Sequence, residues 1–130
     1  MPLGVKVYTI KDFIRKTESG AIDFERSIRI VRELAMAAAF HEDHNILVDL
    51  RETYLAPGNM GDLMNIAVEV AQYRDFFSNK IACVIPDEPE RIETAKRLEA
   101  ALAVKDFQYR VFTSFEEAIE WLSDVQRGKL

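Results

Sequence analysis

Residues 45–55 read NILVDLRETYL, and the first half of this stretch decides the fold class. Ile46, Leu47, Val48 and Leu50 leave no room for the in-out alternation of a strand with one wet face; a near-continuous apolar run marks a strand buried on both faces. A second such run, KIACVIP at 80–86, has the same character. Strands of this kind occur in parallel sheets whose faces are covered by helices, so helical periodicity is expected between them.

The flanking sequence supplies it. Asp23 stands where an N-cap belongs, ahead of Phe24, Ile28, Val31, Ala35 and Ala38 at spacings of three and four, which predicts a helix over 24–40. The spacing of Leu63, Met64, Ala67 and Ala71 predicts a helix over 60–77, and Ile92, Ala95, Leu98 and Leu102 predict one over 90–104. YRVFT at 109–113 reads as a strand. Ser114 with Glu117 three residues on is a capping box that opens a last helix through SFEEAIEWLSDV. At the start, VKVYTI (5–10) alternates as a strand does, and DFIRKTES (12–19), ending before Gly20, reads as its antiparallel hairpin partner. The predicted order is β-β-α-β-α-β-α-β-α: one α/β domain over 1–130, with a mixed, mostly parallel five-stranded sheet, an antiparallel N-terminal edge hairpin and four helices.

Composition narrows the function classes. The chain has 130 residues, 48% hydrophobic and 30% charged, with a formal net charge of −5. No basic run interleaves with aromatic residues, so no counterion-displacing surface for nucleic acid is expected. No apolar stretch approaches the ~20 residues of a transmembrane helix, and the first residues lack the pattern of a signal peptide, so a cytoplasmic location is expected. The lone Cys83 lies inside IACVI, where apolar neighbours predict a packing role.

Several stretches together resemble the SpoIIAA-like, or STAS-like, family: YTI near the start, ESGAIDFE at the entry to the first long helix, NILVDLRET, KIACVIPDE, and YRVFTSFEEAIEWL. The resemblance runs from about residue 8 to residue 122 and rests on order and spacing. It implies a cytoplasmic, bacterial, non-enzymatic domain. STAS antagonists carry a phosphoacceptor serine at a helix N-terminus after the Asp-bearing strand; here the corresponding loop reads ETYLAPGNMGDL and has no serine. Asn59 or Gly61 stands in that region, so a phosphorylation switch of that kind is not expected.

Asp49 is the residue most open to a chemical reading. A phosphoryl acceptor would need a further acidic pair holding Mg²⁺ and a lysine after a late strand, and a ribose-binding acid would need a Gly-rich turn upstream. The sequence has neither, so Asp49 is read as a structural anchor for the loop after its strand, with Arg51 on the same face as a partner. His41 and His44 in FHEDHN are read as a solvated linker rather than metal ligands. No catalytic residue, metal or cofactor is assigned. Arg51, Thr53, Tyr54, Leu55, Asn59 and Met60 are the candidate surface for a protein partner, a second copy of the chain, or a small ligand. A non-enzymatic interaction module is the leading expectation. The alternative is a carrier of small apolar or lipid-like molecules, as the SEC14-like half of the family's usual label implies, and it needs a cavity of roughly 300 Å³ or more; an enzyme is the third and least expected class.

Overall fold

The computed structural model describes residues 12–56 and 63–123. Four strands, β1 (Phe13–Ile22), β2 (Asn45–Leu55), β3 (Ile81–Val84) and β4 (Tyr109–Phe112), alternate with four helices, α1 (Phe24–Phe40), α2 (Leu63–Gln72), α3 (Pro89–Val104) and α4 (Phe115–Leu122). The strands lie in sequential order, and every pairing among them is parallel. Among the described residues the sheet therefore has four strands and no antiparallel pair, not the expected five with a hairpin. The strand expected over 5–10, the other half of that hairpin, lies outside the described residues. Helix α2 is also shorter than the 60–77 expected: it ends at Gln72, and a 3-10 turn over Arg74–Phe76 carries the chain toward β3.

Sequential order explains the layering. Crossovers that are all right-handed and all step in one direction place every crossover helix on the same face. Accordingly α1, α2 and α3 share one core with Ile46, Val48, Ile81, Cys83 and Val111, while α4 packs on the opposite face with Leu47, Ala82, Val84 and Phe112. Adjacent residues of β2 and β3 thus point into different cores, which is why their sequences do not alternate in polarity.

The ends are fastened by side chains reaching for backbone. Asp23 accepts from the Arg26 N–H at 2.8 Å, and Ser114 accepts from Glu117 N–H, as the N-cap readings require. At the far end of α4, Asn45 Nδ2 donates to the Leu122 carbonyl and Lys80 Nζ to that of Trp121, satisfying carbonyls a helix leaves without partners. On the edge strand β4, the Val111 N–H donates to Glu99 of α3 at 2.7 Å, so a sheet-edge donor is covered by its own crossover helix.

Candidate functional site

The C-terminal ends of parallel strands are where open α/β sheets place their ligands. In this chain that edge is shaped by an irregularity in β2. Thr17 pairs with Asp49 and Ser19 with Glu52, so β1 advances two residues while β2 advances three. The extra residue is a β-bulge at Leu50–Arg51. It inverts the alternation: Ile46, Val48 and Leu50 point toward α1–α3 before it, Thr53 and Leu55 after it. The other parity, Leu47, Asp49 and Arg51, belongs to the α4 face.

A bulge leaves backbone groups outside the ladder, and two side chains take them up. Asp49 Oδ1 accepts from the Arg51 N–H at 3.2 Å, and the Thr53 hydroxyl donates to the Leu50 carbonyl at 2.6 Å. Asp49 is 4% exposed and also receives Arg51 Nε at 2.9 Å, Arg51 Nη2 at 2.8 Å and Arg15 Nη2 from β1 at 3.3 Å. Both guanidinium groups stand over the Phe115 ring, at 5.0 Å for Arg15 and 4.8 Å for Arg51. The Arg51 hydrogen bond holds the Asp49 carboxyl below its ordinary value against the cost of burial, and the Arg51 guanidinium is correspondingly raised by the carboxylate. The carboxylate is saturated by donors from within the chain, which leaves it little capacity for a metal or a phosphoryl group.

The candidate surface divides. Tyr54 is 59% exposed and Arg51 is half exposed on its pair with Asp49. Thr53 is not a surface residue: the bulge turns it inward, where Arg91 of α3 donates to its carbonyl at 3.0 Å and to its hydroxyl at 3.1 Å. Leu55 likewise lines the interior between sheet and helices. Asn59 and Met60 lie outside the described residues. Past them, Met64 and Val68 stand one turn apart on α2 and are about half exposed, although the apolar spacing predicts Met64 to point inward. Ala67 is buried as expected and Leu63 and Ala71 pack against the core, with Ile66 and Val70 as further inward residues.

The His41 and His44 rings lie 4.9 Å apart, centroid to centroid, tilted 57° to one another. Among the described residues no group of three or more histidine, cysteine, aspartate or glutamate side chains could hold a metal ion. Cys83 is buried, and burial pushes its thiol up to about 11. Tyr109, partly buried against the same core, is raised well above its usual value by loss of hydration and then by the neighbouring Cys83.

The interior between the sheet and α1–α3 holds a cavity of about 140 Å³. Its walls are mostly apolar, from Val31, Val48, Ile66 and Leu98 among others, and among the described residues Arg91 is the one charged side chain in its lining. Sequence reading misses Arg91 because it sits in the first turn of α3, ahead of the apolar stripe, where an exposed residue is expected. It is instead 6% exposed. Arg26 occupies the equivalent third position of α1 and donates at 2.6 Å to the carbonyls of Ser19 and Ala21. A cation near a helix N-terminus opposes the macrodipole, so both arginines are held by the strand-end carbonyls they reach.

Among the described residues no helix is long and apolar enough to cross a membrane. The chain matches no family model, no curated protein and no solved structure.

Proposed function

We propose that this chain is a non-enzymatic interaction module of SpoIIAA/STAS-like type that recognises a protein partner through Tyr54 and the outer face of α2. The observation that carries the reading is the exposure of large apolar side chains on both sides of the 57–62 segment: Tyr54 at the end of β2, and Met64 and Val68 one turn apart on α2. Aromatic and apolar side chains held outward by regular elements lose little entropy on binding and serve as interface anchors. The helical layer extends this surface, since Arg32 of α1 pairs with Glu69 of α2 at 3.5 Å and α1 presents Met36 and Phe40 outward. The parallel α/β order supports the family reading, and the loop without a serine argues against a phosphorylation switch.

The test is affinity capture with the unaltered chain, Tyr54→Ser and Val68→Asn, each checked by thermal melting. A partner that the unaltered chain enriches and both variants lose, with melting within about a degree, supports the reading. Identical captured sets from all three proteins overturn it.

The carrier alternative is limited by volume. A cavity of about 140 Å³ is less than half the roughly 300 Å³ at which pockets for drug-sized ligands begin, so a lipid chain does not fit within these walls.

A further inference from the structure

We infer that the cavity beneath α1–α3 is a binding site for a small monocarboxylate, with the carboxylate on Arg91 and an apolar body of a few carbons among Val48, Ile66 and Leu98. This goes beyond the partner surface proposed above and does not depend on it.

The inference starts from a charge without a counter-charge. Arg91 is buried, yet among the described residues it makes no ion pair: its donors reach the Thr53 carbonyl and hydroxyl, both neutral. Glu88, one turn earlier on the chain, is exposed and lies beyond ion-pair distance, although its field favours the charged guanidinium. Taking an arginine out of water without a carboxylate is costly, and buried cations in folded proteins are ordinarily paired. Fastening Thr53 alone does not require a full charge. An anion entering beside Arg91 would supply what the chain omits, and a guanidinium is the side chain best suited to holding a carboxylate by two parallel hydrogen bonds.

The cavity then sets the size and polarity of the remainder of the ligand. A dry apolar cavity of about 150 Å³ in another protein admits benzene, so a volume of about 140 Å³ accommodates a body of four to six carbon atoms. Arg91, Leu55 and Leu63 lie toward the C-terminal edge of the strands, whereas Tyr109 and Ile81 lie at the opposite end of the lining. The ligand would enter head outward at the edge where α/β sheets bind ligands, with its tail among the aliphatic side chains. Among the described residues the lining offers no second cation, so a dicarboxylate or a phosphate ester is not matched.

Methyl NMR of the unaltered protein, titrated with butyrate, isovalerate and benzoate and in parallel with the matching amides, tests this directly. The expected result is saturable shifts confined to methyls of Val48, Ile66 and Leu98, with each carboxylate at least tenfold tighter than its amide. Arg91→Met, which keeps length and removes charge, is expected to abolish that preference while still admitting benzene; Ala95→Phe, which fills the cavity, is expected to exclude both. Equal binding of carboxylate and amide, shifts elsewhere than the cavity methyls, or no saturable shift with any of the acids overturns the proposal. Because the acid–amide comparison uses the unaltered chain, it decides the matter even if Arg91→Met does not fold.

Discussion

Asp49 illustrates how much one residue's meaning depends on its neighbours. The sequence reads it as a loop anchor beside Arg51; in the structure it closes a bulge and neutralises two arginines, Arg51 and Arg15. Asp49→Ala is expected to cost about 1–3 kcal/mol in chemical denaturation, since it orphans the Arg51 N–H and leaves two half-buried guanidinium groups facing each other. Asp49→Asn, which keeps the acceptor for that N–H, should cost less. The carboxyl is held below its ordinary value chiefly by the Arg51 hydrogen bond, so in the native state it binds fewer protons than in the unfolded chain at acid pH. Its contribution is therefore fully present above the unfolded value of about 4 and is lost as pH falls through it toward the lower native value. The stability gap between the unaltered protein and Asp49→Asn should narrow over that range. Cys83 works in the other direction: its thiol is raised to about 11 by burial, so it should resist a disulfide-exchange reagent at pH 8 until the protein unfolds. The unfolded thiol ionises first as pH rises from 9.0 toward about 11, and stability should decline across that window.

At the scale of elements, the starts of α1 and α4 follow from their caps and the extent of α3 from its apolar spacing, because those signals are local. The bulge in β2 is not local. Nothing in RET at 51–53 announces an extra residue; it exists because β1 must pair across it and because Asp49 and Thr53 can absorb the displaced backbone groups. Its consequence is a change of face, which turns Thr53 and Leu55 inward and leaves Tyr54 exposed. Thr53→Val keeps the shape but removes the donor to the Leu50 carbonyl and the acceptor for Arg91. A loss of about 1–3 kcal/mol is expected by denaturant titration, with the Leu50–Tyr54 amides exchanging faster with solvent. Of the inward set that apolar spacing predicts for α2, Ala67 is buried and Leu63 and Ala71 pack against the core, whereas Met64 faces out and Ile66 and Val70 also face in. Asn65, Glu69 and Gln72 keep one stripe of α2 polar, but Met64 and Val68 flank it, and contact with α1 and α3 decides which of the apolar side chains are covered.

Over the whole molecule, stability should be concentrated where both faces of the sheet are covered. Ile46–Val48 and Ala82–Val84 lie between α1–α3 on one side and α4 on the other, with several of their side chains wholly buried. In native-state hydrogen exchange these amides should be the last to exchange, while those of Ser19–Ala21 in β1, past the register shift, should exchange through local opening. Equal protection across all four strands would contradict this layering. The sequence by itself determined the α/β class, the parallel core strands, the helix starts and the ordinary charge balance, since each is written in short-range periodicity, capping and composition. Tertiary structure alone decided that a bulge in β2 turns Thr53 inward, that α4 holds one face while three helices share the other, and that Arg91 lies buried beside an apolar cavity. Those features depend on register, on handed crossovers and on which residues distant in sequence meet, and no local pattern encodes them.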